Sequence, residues 1–148
     1  MYFIQYDQDI VVIDCGSKFP DENLPGIDLI VPDFTYLLDN ADKVRALVVT
    51  HGHEDHIGGI PYLLKQLQIP VYGTKLTIEL IKIKLKEHRI LRNSELHTID
   101  ANSTIQAGAI HASFFRPVTA FRIAWASFFK HRKAMSSTRE ILNSTCLP

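Results

Sequence analysis

The feature that most constrains this chain is the segment HGHEDH at residues 51–56, which follows directly on the apolar run ALVVT at residues 46–50. The run is short, uncharged and rich in β-branched residues, so it predicts a buried strand. Four potential metal ligands, three imidazoles and one carboxylate, therefore stand together at the end of a rigid element. Imidazole nitrogen and carboxylate oxygen suit Zn²⁺, and also Mn²⁺ or iron. The segment predicts a metal site, because a purely structural role for so dense a cluster is disfavoured.

The spacing within the segment favours two metal ions over one. His51 and His53, at positions i and i+2 of an extended turn, are expected to aim their imidazoles the same way, with Asp55 and His56 on the opposite side of the tightening turn. Two ions held a few ångströms apart can share a hydroxide, lower its pKa and stabilise both the attacking and the leaving oxygen of a displacement. The glycine pair at residues 58–59 is expected to let the backbone pass close to the site and to open the next helix.

The chain as far as about residue 116 alternates strands with helices, which indicates an α/β layered fold. We predict strands at residues 2–6, 10–14, 46–50 and 70–73, helices at residues 34–40, 61–68 and 76–89, and mostly loop between residues 16 and 32. The run IVVI at residues 10–13 is apolar throughout, so its strand is expected to be covered on both faces. On the last helix we expect a buried stripe, formed by Leu76, Leu80, Ile83 and Ile90.

Composition limits the class of protein further. Hydrophobic residues make up 46% of the 148 residues and charged residues 22%, a balance typical of a folded domain rather than a disordered chain. No apolar run reaches the roughly 18–20 residues that span a bilayer, and no charged stretch followed by an apolar one opens the chain. Cys15 and Cys146 form no CxxC pair, which excludes a disulfide framework or a cysteine zinc ribbon. We therefore expect a cytoplasmic protein without a membrane partner.

The sequence around the metal segment resembles one family. The pattern His51-x-His53-x-Asp55-His56 after an apolar strand is the signature of the metallo-β-lactamase fold. Bacterial ribonuclease J is closely resembled by four stretches: VIDCG at residues 12–16, GIDLIVPD at 26–33, HGHEDHIGGIPYLL at 51–64 and GTKLTIELIKIKLKEH at 73–88. The resemblance covers about residues 1–116.

This resemblance implies the N-terminal part of a metallo-β-lactamase αββα sandwich. Such a fold would belong to a cytoplasmic RNA-degrading hydrolase that carries two zinc ions and cleaves RNA internally and from the 5′ end. By the family pattern, His51 and His53 would ligate one metal, and Asp55 and His56 the other. Asp55 would also help to hold the attacking hydroxide, and Asp14 matches a family aspartate that would fix a histidine from outside the metal shell. The resemblance also implies that family members form homo-oligomers, but we do not expect this chain to do so.

The resemblance stops near residue 116, where the charge of the chain also changes. Residues 1–116 carry 11 basic and 15 acidic residues, whereas residues 117–148 carry 5 basic residues and 1 acidic residue. The family continues with a third metal histidine in an HSIPDS-like motif and a bridging aspartate in a YTGDFKFD-like motif, and this sequence has neither. Suitable synonymous codons for residues 118–148 can spell both motifs when they are read one nucleotide upstream.

We therefore interpret residues 1–116 as part of the metallo-β-lactamase domain and residues 117–148 as an out-of-frame, poorly ordered tail. An incomplete ligand set predicts weak metal binding and no catalysis by this chain. Most of a second sheet is also expected to be missing.

Two other functions are compatible with these residues. One is a small stand-alone metallo-hydrolase of a thioester or a lactam, against which the match at residues 73–88 argues; assays on both substrate types discriminate. The other is a non-catalytic RNA-binding module that uses a basic helical stripe, formed by Lys75, Lys82, Lys86 and Arg89. Glu79 and Glu87 dilute the positive charge of that stripe, so a solvated helix face is the preferred interpretation.

Overall fold

The structure, a computed structural model, describes residues 1–20 and 26–115 and the backbone of two further strands at residues 126–130 and 135–137. The strands are β1 (Tyr2–Tyr6), β2 (Asp9–Ile13), β3 (Val44–Val48), β4 (Val71–Gly73), β5 (Leu96–Thr98), β6 (Thr104–Ala107), β7 (Ile110–Phe115), β8 (Ala126–Lys130) and β9 (Met135–Ser137). The helices are α1 (Thr35–Asp39), α2 (Glu54–Ile57), α3 (Ile60–Leu64) and α4 (Lys75–Glu87), and 3₁₀ turns lie at Ala41–Lys43 and Leu91–Asn93.

The first sheet has the order β1-β2-β3-β4-β5. Strands β1 and β2, both predicted from sequence, form an antiparallel hairpin whose turn places Asp7 at a positive φ of 52°. Strands β2 to β5 are parallel to one another, as expected where helices connect successive strands. The α/β prediction is confirmed, although β3 begins and ends two residues earlier than the apolar run at residues 46–50 indicated.

Two apolar cores lie on the two faces of this sheet, and alternate residues of β2 contribute to each. Ile10 and Val12 belong to the core that includes helix residues such as Leu37, Ile60, Leu63 and Ile81. Val11 and Ile13 belong to the other core, with Ile105, Ile110 and Phe114 from the second sheet. The prediction that this strand is covered on both faces is confirmed. Full burial of each such side chain contributes about 1.5–3 kcal/mol to folding.

The second sheet is antiparallel and has the order β6-β7-β8-β9. Our expectation that most of this sheet would be missing is wrong. Strands β6 and β7 precede residue 116 and supply much of the apolar face that covers β2 and β3. The turn between them is tied to the first sheet, because the backbone N–H of Ala109 donates to Asp9 Oδ2 at 2.7 Å.

The segment that we interpret as an aberrant tail lies mostly outside the described residues. The structure gives the backbone of β8 and β9 within it, pairing β7 with β8 and β8 with β9. Its out-of-frame origin and its poor order stay predictions.

Helix α4 buries a different face from the one that its sequence led us to expect. Leu76, Leu80 and Ile83 are 62%, 36% and 57% exposed, so the predicted stripe is wrong for these three residues, and Ile90 beyond the helix is only partly buried. The buried residues of α4 are Thr77, Ile78, Ile81 and Leu85. They pack on the first sheet and on α3, and this choice of face also fixes which side of α4 lies beside residues 51–56.

The helices of the described segments leave no candidate for a membrane span, since none combines sufficient length with sufficient apolar character.

Candidate metal centre

The parallel strands of the first sheet deliver polar residues to one edge. Asp14 follows β2 directly, Thr50 and His51 follow β3 after one further residue, and Thr74 follows β4. The carboxyl ends of parallel strands share one edge of a sheet, which is where open α/β sheets bind their ligands. The metal segment predicted from sequence therefore lies at the edge where a ligand site is expected.

The loop after β2 and the metal segment are joined by backbone hydrogen bonds. Cys15 N–H donates to the carbonyl of His56 at 2.8 Å, Ser17 N–H to that of Glu54 at 3.2 Å, and Gly59 N–H to that of Cys15 at 2.8 Å. Such close approach requires glycine at residue 16, because a Cβ there would lie 1.6 Å from the carbonyl oxygen of Asp55. This interlock holds α2, and with it Asp55 and His56, against the end of β2.

The glycine pair that follows the metal segment has the role predicted for it. A Cβ at Gly58 would lie 1.9 Å from Ser17 Oγ, and one at Gly59 would lie 2.7 Å from the carbonyl oxygen of Gly16. Gly59 is also the N-cap of α3, so the pair both permits the close approach and begins the next helix.

The structure brings all three histidines of the metal segment together. The ring centroid of His51 lies 4.6 Å from that of His53 and 3.9 Å from that of His56. The Asp55 side chain is 68% exposed, and its Oδ2 lies 3.3 Å from His56 Nε2. His56 thus lies against His51 as well as beside Asp55, rather than only across the turn from the first two histidines.

A buried network behind the histidines contains Asp14, the residue predicted to fix one of them. Its carboxylate accepts from His56 Nδ1 at 2.8 Å and from the backbone N–H of Thr50 at 2.8 Å. The hydroxyl of Thr50 lies 2.8 Å from Asp14 Oδ2 and 3.0 Å from His51 Nδ1. Sequence reasoning did not single out Thr50, whose partner Asp14 lies 36 residues earlier.

The half-buried histidines His51 and His56 differ in their affinity for protons. Burial lowers the pKa of His51 to about 4, and the neighbouring His56 adds to this effect. Burial also opposes protonation of His56, but the hydrogen bond and the negative charge of Asp14, with the charge of Asp55, outweigh it and raise the pKa of His56. At neutral pH His51 is therefore in the neutral form that binds a metal, while His56 holds its proton more tightly.

The donor set fits a divalent metal in chemical type but is not a finished cage. Three imidazoles and an exposed carboxylate are the nitrogen and oxygen ligands that zinc and similar ions take. Within the described residues, however, no three or more His, Cys, Asp or Glu side chains are arranged so that they could hold a metal ion. The described site therefore contains side chains of the right chemical type, but no three of them point at one common metal position.

Helix α4 makes one polar contact with the metal segment. Lys84 Nζ lies 2.6 Å from Glu54 Oε2, and the Ser17 hydroxyl donates to Glu54 Oε1 at 3.3 Å. On the same helix Lys82 pairs with Glu79 at 2.7 Å. One lysine of the basic stripe is therefore already partnered, and the RNA-binding role of the stripe stays a prediction.

Comparison with known proteins adds a family. A family model described as "Metallo-beta-lactamase superfamily" matches residues 1–120. The chain is 47% identical over 115 residues to Ribonuclease J 1 of Streptococcus pyogenes serotype M3, which is 78% of this chain and 20% of that protein. It is 44% identical over 118 residues to Ribonuclease J2 of Bacillus subtilis strain 168, or 80% of this chain and 21% of that protein. The chain thus spans about a fifth of the length of these curated relatives, and the resemblance to ribonuclease J is confirmed.

Solved structures agree on the fold. The metallo-beta-lactamase fold protein YhfI of Bacillus subtilis superposes with a TM-score of 0.61 at 19% identity, over 90% of this chain and 51% of that one. Rm3 metallo-beta-lactamase superposes with a TM-score of 0.56 at 14% identity, over 89% of this chain and 50% of that one. The predicted partial metallo-β-lactamase sandwich is confirmed.

Proposed function

We propose, from the premise that this chain belongs to the Metallo-beta-lactamase superfamily, that residues 51–56 carry the first metal ligands of a ribonuclease J-like hydrolase of RNA phosphodiesters. The observation that carries the proposal is the 47% identity to Ribonuclease J 1 over 115 residues, a stretch long enough to include the site edge and α4. A shared fold alone would support many hydrolytic activities.

The individual roles follow the family pattern. His51 and His53 ligate one ion, Asp55 and His56 ligate the other, zinc being the metal proposed, and Asp55 also orients the attacking water. Such a pair of ions supplies Lewis acidity and lowers the pKa of water. Asp14 stands behind His56 with a 2.8 Å hydrogen bond to Nδ1, which supports its proposed role outside the metal shell.

The chain by itself is proposed to bind metal weakly and to leave RNA intact. The third histidine and the bridging aspartate of the family pattern are absent from its sequence. The lack of a convergent cluster of three ligands among the described residues supports this reading. A site with too few ligands holds its ion loosely and cannot fix the geometry of a reacting water.

Metal titration tests the ligand assignment on the chain as it exists. We expect zinc to bind the wild-type chain weakly, and the His51→Ala, His53→Ala double variant to bind measurably less of it. His88→Ala and His97→Ala together form a matched control, since these two histidines lie outside the metal segment. Equal zinc stoichiometry in the wild type and the first double variant would show that residues 51–56 do not hold metal.

A chimera tests the RNA activity. Residues 1–115 of this chain replace the matching 115 residues of Ribonuclease J 1, and hydrolysis of single-stranded RNA, a thioester and a β-lactam is measured. Of the three substrates, we expect the chimera to cleave only RNA, and we expect Asp55→Asn in the chimera to abolish that cleavage. A folded chimera that hydrolyses the thioester or lactam instead would favour the alternative of a different metallo-hydrolase. Binding of RNA without cleavage, lost on Lys82→Glu and Lys86→Glu, would favour the binding module.

A further inference from the structure

Thr50 is a buried residue that connects Asp14 with His51 in the polar network behind the histidines. Its side chain is 5% exposed and stands between the carboxylate of Asp14 and the ring of His51. The hydroxyl oxygen lies 2.8 Å and 3.1 Å from the two Asp14 oxygens and 3.0 Å from His51 Nδ1. One hydroxyl, which carries a single proton, therefore has to satisfy neighbours on two sides.

The chemistry of Asp14 decides where that proton goes. An ionised carboxylate accepts hydrogen bonds and donates none. Asp14 already accepts from the backbone N–H of Thr50 at 2.8 Å, and His56 Nδ1 lies at the same distance. If the Thr50 hydroxyl pointed away from Asp14, its lone pairs would face both carboxylate oxygens across less than a van der Waals contact. In a site this buried, such opposed acceptors are costly.

The orientation of the hydroxyl then fixes the ring of His51. With its proton donated to Asp14, Thr50 Oγ1 can only accept from His51 Nδ1, which must carry a hydrogen. In a neutral imidazole, a hydrogen on Nδ1 leaves Nε2 with the free lone pair. The same reasoning applies without a relay to His56, whose Nδ1 donates to Asp14.

We propose that Thr50 is a positioning residue: its hydroxyl donates to Asp14 and accepts from His51 Nδ1, so that it links the carboxylate to the His51 ring. The buried carboxylate of Asp14 thereby sets the tautomer of both His51 and His56. In each ring Nε2 is left as the ligand atom. The tautomers are a property of the metal-free chain, whereas their consequence for metal affinity rests on the proposed function.

The backbone holds the two partners in place. Asp14 adopts a positive φ of 55°, which aspartate tolerates better than most residues, and its N–H donates to the carbonyl of Val48 at 2.9 Å. The end of β2 is thereby fixed beside the end of β3, two residues before Thr50. The relay consequently depends on strand pairing rather than on a mobile loop.

The tautomers can be read directly by long-range ¹H–¹⁵N correlation of the histidine rings in the metal-free chain. Spectra are collected at increasing pH until the ring ¹⁵N shifts stop changing, because the pKa of His56 is raised above the ordinary histidine value of ~6.5. The final spectrum reports neutral rings. We expect Nδ1–H for His51 and His56 in the wild type and in Thr50→Ser, which keeps the hydroxyl. In Thr50→Val we expect His51 to shift towards Nε2–H, while His56 keeps Nδ1–H.

A matched control separates this effect from the loss of any buried hydroxyl. Thr77 is 3% exposed, and its hydroxyl lies 3.0 Å from that of Thr74. Thr77→Val should lower the stability of the chain and leave every histidine tautomer unchanged.

Zinc affinity supplies the second readout. We expect it to fall by about 10–100-fold in Thr50→Val, as is typical when a partner behind a ligand is removed, and to return towards the wild-type value in Thr50→Ser. An Nε2–H tautomer for His51 in the wild type, or an unchanged tautomer in folded Thr50→Val, would overturn the inference. A shifted tautomer with unchanged zinc affinity would sustain the relay and instead overturn the assignment of His51 as a ligand in the proposed function.

Discussion

Replacement of Gly16 by alanine tests whether the interlock between the loop after β2 and the metal segment stabilises this fold. The new Cβ would lie 1.6 Å from the carbonyl oxygen of Asp55 and 2.6 Å from the backbone nitrogen of His56. Both neighbours are backbone atoms, so no side chain can rotate to make room. The two segments must separate, and the hydrogen bonds between them must lengthen or break.

The expected cost follows from what that separation disrupts. Three backbone hydrogen bonds join the segments, at 2.8, 3.2 and 2.8 Å, and each contributes about 0.5–1.5 kcal/mol. Forcing an extra methyl into a packed region costs about 1–3 kcal/mol more. We expect Gly16→Ala to lower the free energy of unfolding by about 2.5–7.5 kcal/mol, a large share of the ~5–15 kcal/mol that stabilises a typical domain.

Urea denaturation followed by far-UV circular dichroism measures this difference. Gly73→Ala is the matched control, because a Cβ there would meet only side-chain atoms, the nearest being Thr77 Cγ2 at 3.4 Å. It should change the free energy of unfolding by less than about 1 kcal/mol. If Gly16→Ala also stays within about 1 kcal/mol of the wild type, the interlock does not stabilise the chain and the reasoning from backbone contact is refuted.

Three further predictions follow from the charges and the burial of particular groups. Burial raises the pKa of the Cys15 thiol to about 12, so iodoacetamide at about pH 8 should leave Cys15 unmodified in the folded chain and alkylate it in urea, as read by peptide mass mapping; rapid alkylation of the folded chain would contradict this. The hydrogen bonds from Arg45 and from the Ala109 N–H hold the pKa of Asp9 below its ordinary value, so Asp9 stabilises the fold above the unfolded-state pKa of ~3.9 and this contribution disappears as the pH falls through its native pKa. Asp9→Asn should accordingly be less stable than the wild type in urea at neutral pH and equally stable in strong acid, and a difference that persists in acid would argue against the ionic origin. Lys84→Met removes a partly exposed ion pair with Glu54 and should cost at most about 1 kcal/mol in the same assay; a larger loss would mean that this pair helps to hold α4 on the metal segment.

The central strands and the metal segment could be predicted because their signals are local. The apolar runs of β2 and β3 are short and bounded, and the proposed ligands at residues 51–56 are contiguous in sequence. The buried face of α4 could not be chosen in the same way. Leu76, Leu80 and Ile83 have helical spacing, but so do Ile78, Ile81 and Leu85, and only the packing on the first sheet decides between the two sets. Helix α4 thus carries two apolar stripes, and the stripe of Ile78, Ile81 and Leu85 is the one that packs on the first sheet.

Other features were beyond reach because their causes are distant in sequence. Thr50 gains its role from Asp14, which lies 36 residues earlier, and nothing in residues 46–56 alone indicates that contact. Strand β6 is four residues long with only Ile105 and Ala107 buried, a pattern too brief to separate from a loop. Strand β5 has three residues, none of them fully buried. Short elements of this kind are defined by the strands beside them rather than by their own residues.

The coverage of β2 on both faces has a consequence for how the chain finds its fold. In most strands a slip of one residue carries polar side chains into the core, and that penalty selects the native alignment. The run IVVI has no such safeguard, since every one of its side chains is apolar on either face. The penalty for a slip arises instead just after the strand, at Asp14. A slipped β2 would move the Asp14 carboxylate away from its donors on Thr50 and His56 and leave it buried without hydrogen bonds. We therefore expect the polar cluster beside the histidines to favour the native alignment of β2 as well, so that a change at Asp14 would affect both the histidines and the strand register.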